Sequence, residues 1–167
     1  MNRVYLSLGS NLGDRAANLR RALRTLGEAG ARIRRVSSFY KTEPVEFRPQ
    51  PWFVNCVAEA DTDLTPFELL NTIKSIERGM GRRPGRPKGP RPIDIDILLY
   101  DNVVARSPAL TIPHQRLAER RFVLVPLREL APTVRHPVTQ RTVLEMLGDT
   151  RDSSRVVQLK DKDNDEW

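Results

Sequence analysis

Residues 93–100 read Ile93-Asp94-Ile95-Asp96-Ile97-Leu98-Leu99-Tyr100, a run that alternates apolar and acidic side chains before turning wholly apolar. Alternation with period two marks a strand with one covered face. The run predicts a strand with Ile93, Ile95 and Ile97 on one side and Asp94 and Asp96 on the other. Upstream, Thr65-Pro66-Phe67-Glu68 combines a cap, a proline at the first helical position and the glutamate of a capping box. Leu69, Ile73, Ile76 and Met80 then recur at helical spacing, and Gly79 and Gly81 stop the helix. Further back, 53–60 and 33–40 read as strands. Asp14 caps a helix whose stripe is Leu19, Ala22, Leu23 and Leu26, ended by Gly27 and Gly30. Val4 to Leu8 is the first strand, closed by Gly9-Ser10-Asn11. The order β-α-β-β-α-β predicts an α+β fold: a ferredoxin-like antiparallel sheet with two main helices on one face.

Asp101-Asn102 predicts a hairpin turn leading to Val103-Val104. After Pro113-His114 the signals weaken. Phe122 to Val125 reads as strand-like, 126–130 and 142–147 as short helices, and 156–159 as a last strand. No repeat and no linker divides the chain, so residues 1–159 are expected to form one domain, followed by a charged tail over 160–167.

Composition sets outer limits. With 39% hydrophobic residues in 167, a mostly disordered chain is excluded. No stretch approaches the roughly 20 apolar residues of a membrane helix, so no membrane partner is expected. Cys56 is alone, which rules out an intramolecular disulfide. Met1-Asn2-Arg3 opens no apolar leader, and the expected location is cytoplasmic. Lys and Arg number 28 against 21 acids, a net charge of +7. That excess favours an anionic partner: nucleic acid, a phosphate ligand or a membrane surface.

Asp94 and Asp96 lie about 6.7 Å apart along the strand. Two carboxylates on one face suit a hard cation with oxygen ligands, and a divalent ion offsets their repulsion. Taken alone, the same spacing describes the polar side of a half-exposed strand. The preceding loop adds Arg82, Arg83, Arg86, Lys88 and Arg91, five cations in ten residues with no acid among them. Guanidinium forks match phosphate oxygens, so acids for metal stand beside arginines for phosphate. A solvated loop or a nucleic-acid contact is the alternative. His114 and Arg120 offer further phosphate contacts, although a lone His is more often structural. Phe53 and Asn55 share a strand face near Thr42, a ring to stack on beside an amide that donates and accepts. That pairing suits a flat heteroaromatic ligand, although Phe on a strand is usually core.

The motifs, in order, resemble the 6-hydroxymethyl-7,8-dihydropterin pyrophosphokinase family of folate biosynthesis. The likeness runs from Val4 to about Leu147. It includes Gly9-Ser10-Asn11-Leu12-Gly13, Ser37 to Pro44, Gln50 to Asn55, Glu77, Gly89-Pro90-Arg91 with Asp94-Ile95-Asp96, Ile112-Pro113-His114, and Arg120 to Leu127. The resemblance implies transfer of the β,γ-pyrophosphoryl unit of ATP to the hydroxymethyl group of the pterin, with AMP released. It implies two Mg²⁺ ions held by Asp94 and Asp96. Arg82 and Arg91 match loop arginines that meet the phosphates. Glu77, Ile97, Thr111, His114 and Arg120 match the ATP site. Thr42, Val45, Phe53, Asn55 and Phe122 match the pterin pocket, with the ligand between the rings of Phe53 and Phe122. Arg82, Arg91, Asp94 and Asp96 are the expected catalytic set. Members are usually monomeric, and no nucleic acid is expected. The loops over 41–51 and 81–92 are expected to close over the site. Pro87, Lys88, Ala109, Gln115 and Lys74 depart from residues common in relatives. The rival readings are a nucleic-acid-binding module on a similar sandwich, which the central strands' lack of an RNA-stacking aromatic motif disfavours, a metal-dependent nuclease or phosphatase and a non-catalytic interaction domain.

Overall fold

A computed structural model describes residues 1–45, 49–82 and 89–160. Its elements are β1 (Asn2–Ser10), α1 (Arg15–Glu28), β2 (Ala31–Val36), β3 (Tyr40–Thr42), β4 (Phe53–Thr62), α2 (Pro66–Gly79), β5 (Asp94–Tyr100), β6 (Ala105–Arg106), β7 (Thr111–Ile112), α3 (Arg121–Leu130), α4 (Val143–Asp149) and β8 (Val156–Gln158). The main sheet runs β5-β1-β4-β3-β8, and β2 also pairs with β4, beyond the end of β3. Every described pairing in it is antiparallel.

Side-chain alternation decides what covers each face. Val4, Leu6 and Leu8 of β1 pack with Leu19, Leu23 and Leu26 of α1 and with Leu69 and Ile73 of α2. The two helices form where the sequence predicts them. Asp14 accepts the N–H of Ala17, and Thr65 with Glu68 completes a reciprocal capping box. The fold is therefore the expected α+β arrangement with two helices on one face. The extra C-terminal elements cover the opposite face. There Tyr5, Val57, Leu98 and Leu99 meet Val123, Leu124 and Leu127 of α3 and Val143 and Met146 of α4. Leu98 and Leu99 both reach this layer because the β1–β5 register slips by one residue between Tyr5 and Leu6, so the strict alternation of 93–97 ends at a bulge.

Four local expectations are corrected. The strand expected over 33–40 divides into β2 and β3. Between them Phe39 turns fully into the core and the Ser37 hydroxyl accepts the Val57 N–H. The strand expected over Phe122–Val125 is the first part of one helix, α3, which also absorbs Pro126. A four-residue apolar run fits either period, and here Val123, Leu124, Leu127 and Leu130 gain a common buried face only as a helix. Asp101-Asn102 does turn, but β6 then pairs with β7 and not with β5. Gly27 lies inside α1, whose chain reverses at Gly30, φ +111°. The last strand is present as β8, added to the edge of β3. No described helix is long and apolar enough to cross a membrane.

Candidate active site

The site begins with a row of residues in register across one end of the sheet. Gly9 of β1 lies between Asp94 of β5 and Asn55 of β4. A Cβ at Gly9 would stand 2.3 Å from the Asn55 Oδ1 and 3.5 Å from the Phe53 ring. Glycine is required here for space, because the floor of a pocket passes over it. Asn55 is only 4% exposed, and its Nδ2 donates to the Thr42 Oγ1 at 2.5 Å. Phe53 lies on the same strand face, so its ring and the Asn55 amide front one cavity. Thr42, Val45 and Phe122 line that cavity as well. All five residues expected to hold a flat ligand therefore meet in one place.

The other side of this cavity is charged. Arg91, Asp94 and Arg120 line it, and the same three residues line a larger neighbouring cleft. Arg82, Asp96, Ile97, Thr111 and His114 lie in that cleft. Of the residues expected at the nucleotide site, Glu77 alone lines neither cavity. It stands behind Arg82, accepting a hydrogen bond from Nη1 of that arginine at 2.8 Å and from the Ile95 N–H at 2.9 Å. Burial pushes the Glu77 carboxyl above the ordinary range, against the pull of the Ile95 N–H and Arg82. The same Arg82 Nη1 also donates to Asp94 Oδ1. Arg91 Nη1 stands 3.6 Å from the other oxygen of Asp94. Burial works against the Arg82 charge, but Asp94 and Glu77 overcome it and hold the guanidinium above its usual value.

Asp96 is held well above the ordinary carboxyl range. The first cause is the protein packed around it, which strips hydrating water, and the second is repulsion from Asp94 and then Glu77. His114 Nε2 lies 3.9 Å from Asp96 Oδ2. Loss of hydration and then the neighbouring Arg120 hold the imidazole below its normal value. His114 is thus a neutral ring near pH 7, and its Nδ1 accepts the Arg116 N–H, which leaves Nε2–H as the donor.

Both rings of the smaller cavity carry a guanidinium. The Arg91 Cζ lies 5.4 Å from the Phe53 centroid and the Arg120 Cζ 5.4 Å from that of Phe122. Two residues outside the expected set place these groups. Gly9 clears the floor, as above. Asn11 exchanges hydrogen bonds with the backbone of Arg91 (2.8 and 3.1 Å) and donates to Gln50 Oε1 and the Pro51 carbonyl. In the sequence Gly9-Ser10-Asn11 reads as a strand terminator. The family resemblance includes it without a role for either residue, and its place beside an acid-bearing strand supplies that role. Ala109 and Gln115 line the cleft, and Lys74 is exposed on α2. Pro87 and Lys88, with Arg83 and Arg86, lie outside the described residues.

The pattern recurs in known proteins. A family model described as 7,8-dihydro-6-hydroxymethylpterin-pyrophosphokinase (HPPK) matches residues 5–132. A 2-amino-4-hydroxy-6-hydroxymethyldihydropteridine pyrophosphokinase from Methylorubrum extorquens is 46% identical over 133 residues, which cover 79% of this chain and 84% of that protein. A mitochondrial folate synthesis bifunctional protein from Pisum sativum is 48% identical over 130 residues, 78% of this chain and 25% of that one. The chain thus spans about a quarter of the length of this bifunctional relative. The solved Plasmodium falciparum HPPK-DHPS triple mutant with pteroate superposes with a TM-score of 0.70 at 18% identity, over 88% of this chain and 43% of that one. At that identity the likeness concerns the fold. Taken with the matched residues and the paired cavities, these similarities show that the chain belongs to the 7,8-dihydro-6-hydroxymethylpterin-pyrophosphokinase family.

Proposed function

We propose that this chain transfers the β,γ-pyrophosphoryl group of ATP to the hydroxymethyl oxygen of 6-hydroxymethyl-7,8-dihydropterin, a step of tetrahydrofolate synthesis. One observation carries the reading: an aromatic, amide-bearing pocket and an arginine- and acid-lined cleft share Arg91, Asp94 and Arg120 as a common wall. Two ligands bound there meet at the charged groups, as a transfer between them requires. Phe53 and Phe122 bracket the flat pterin, while Asn55 and Thr42 satisfy its polar edge. Arg82 and Arg91, with Nε2–H of neutral His114 and with Arg120, take the triphosphate oxygens. Ile97 and Thr111 stand at the adenine side.

The Asp94 and Asp96 carboxylates, both in the cleft, fit a hard divalent cation. They are oxygen donors on one strand face, and the like charges that push Asp96 upward would be relieved by it. They are the residues that would hold two Mg²⁺ ions, which when bound supply charge neutralisation to the triphosphate. The chain's own contribution is placement. The pterin hydroxyl lies in line with the β-phosphorus, its oxygen bonds to that phosphorus, and the bridge to the α-phosphate breaks so that AMP departs. The hydroxyl proton leaves to solvent. Arg82 and Arg91 stabilise charge on the transferring group. On this reading residues 1–159 act as one domain, monomeric and cytoplasmic, with two small molecules and no nucleic acid as partners.

The test is product analysis with purified protein, Mg²⁺, ATP and the dihydropterin. One AMP and one pterin pyrophosphate per turnover are expected. ADP, inorganic phosphate alone or no consumption of pterin would refute the assignment.

A further inference from the structure

The family match ends at residue 132, yet the segment after α4 touches both walls of the smaller cavity. On one side it grips the loop wall. The Arg155 N–H donates to Glu43 Oε1 at 2.7 Å, and the Glu43 N–H donates back to the Arg155 carbonyl at 3.2 Å. Val156 pairs in register with Thr42. The Arg155 and Lys41 side chains lie over the Trp52 ring, with Cζ 5.3 Å and Nζ 5.6 Å from its centroid. Glu43 and Thr42 line the cavity, and Trp52 adjoins Phe53.

On the other side the segment holds the helix wall. The residue that opens α3, Arg120, supplies no capping side chain. Asp152 fills that role from a distance: its Oδ2 accepts the first helical N–H, that of Arg121, at 2.9 Å. A carboxylate at a helix N-terminus gains from the dipole as well as the hydrogen bond. Asp152 Oδ1 accepts the Ser154 N–H at 2.8 Å, and the Ser154 carbonyl accepts from Arg121 Nε at 3.1 Å. Phe122, the next residue of α3, carries the second ring of the cavity. Despite burial, these donors keep the Asp152 carboxyl below its ordinary value, so it is ionised near neutral pH.

We infer that residues 150–158 form a strap that sets the gap between the two rings, with Asp152 as a positioning residue for the pterin far more than for the nucleotide, whose site it meets only beside Arg120. The carboxylate fixes the start of α3, and through it Phe122. Glu43 and Arg155 fix the opposite wall. Among the described residues of the nucleotide cleft the strap reaches Arg120 alone, through the flanking Glu119 carbonyl and Arg121 N–H, and the cleft's other groups come from α2, Arg82, Arg91, β5 and the 109–116 segment. The inference rests on the pyrophosphokinase reading for the identity of the ligand.

The experiment compares full-length wild type with Asp152→Ala by calorimetry. The probes are 6-hydroxymethylpterin in the presence of a non-hydrolysable Mg-ATP analogue, and that analogue alone. Loss of one charge-assisted hydrogen bond at the pocket wall should weaken the pterin about ten-fold. Nucleotide affinity should stay within about two-fold. Steady-state KM values should split the same way. Equal weakening of both ligands, or none of either, overturns the strap. Should the alanine variant fail to melt cooperatively, Asp152→Asn decides. It keeps the size and one acceptor, and should raise the pterin Kd about three-fold alone; an unchanged pterin Kd overturns the inference. A wild-type protein that binds no pterin would instead sink the pyrophosphokinase reading itself.

Discussion

Gly9→Ala is the sharpest probe of the site, because it adds one methyl group and removes no charged or polar side chain. The added Cβ meets Asn55 Oδ1 at 2.3 Å, whereas ordinary contact begins at 3.4 Å. The amide must therefore retreat by about 1 Å, and β1 and β4 are locked in register on both sides of the contact. The side chain is what yields, and it cannot yield without stretching its 2.5 Å bond to Thr42. A displacement of about 1 Å in a positioning group costs on the order of a hundred-fold in rate. The overpacked sheet end also loses about 1–3 kcal/mol of stability. We expect kcat/KM for the dihydropterin to fall by about a hundred-fold, read by AMP release at fixed ATP, while Mg-nucleotide affinity is kept. The double variant Gly9→Ala/Asn55→Ala isolates the cause. If alanine at 9 acts by moving Asn55, the double loses no more than Asn55→Ala alone, a plain failure of additivity. Costs that add, or a Gly9→Ala enzyme with unchanged pterin kinetics, would refute the steric account.

Three further outcomes are expected. Asp94→Ala and Asp96→Ala should each lower turnover by about a thousand-fold at ordinary Mg²⁺ with the melting transition retained, and comparable turnover in either would remove them as cation ligands. Arg91→Ala should reduce kcat by about a hundred-fold, measured by AMP release at saturating ATP, and unchanged kinetics would deny that arginine a part. Glu59 is buried beside Arg35, Arg3 and the Tyr5 hydroxyl, and against the opposing effect of burial these hold its carboxyl below the usual 4.5. A lowered carboxyl stabilises the fold fully above that value and loses the contribution as the pH falls through its folded value. Glu59→Gln should therefore cost about 1–3 kcal/mol at neutral pH. In urea melts the gap to wild type should close below pH 4.5, and a gap that persists at low pH contradicts the assignment.

The parts of the fold that the sequence revealed are those with one unambiguous period. Alternation over 94–97 survives intact in β5, and the capping box at Thr65 and the cap at Asp14 are local signals that the structure repeats. The parts it concealed depend on distant partners. Phe122 to Val125 lies in a helix because the helix's first N–H, that of Arg121, is received by Asp152, 31 residues away, and because a buried face awaits Leu127 and Leu130. The break between β2 and β3 needs the Ser37 hydroxyl and the Val57 N–H to meet across the sheet. The same division runs through the site. Asp94, Arg91, Phe53 and Asn55 bear chemistry on their side chains and are visible as residue types. Gly9 acts by an absent side chain and Asn11 through the backbone of Arg91, so the motif Gly9-Ser10-Asn11 is visible as a resemblance while the role of each residue shows only in the register that brings them there.

The sharing of Asp94 between two arginines also explains why the two cavities need not act independently. Arg82 donates to one oxygen of this carboxylate, and Arg91 approaches the other. Both guanidiniums line the cleft, and on the proposed reading they face the triphosphate there. A triphosphate that takes Arg82 and Arg91 draws counter-charge away from Asp94, which then stands beside the Asp96 carboxylate with its repulsion uncompensated. That change raises the site's demand for a divalent cation at the moment the nucleotide arrives. Arg91 also lies over the Phe53 ring, so withdrawing it toward the phosphates uncovers the face on which a flat ligand stacks. On the proposed reading, nucleotide, cation and pterin are therefore coupled through one guanidinium and one carboxylate. The coupling is reciprocal, and its sign follows: nucleotide binding should strengthen pterin binding, and the gain should be smaller in Arg91→Lys, which keeps the charge but not the planar group over Phe53. Calorimetry with and without the nucleotide analogue measures it, and equal gains in wild type and Arg91→Lys would show that the arginine does not carry the coupling.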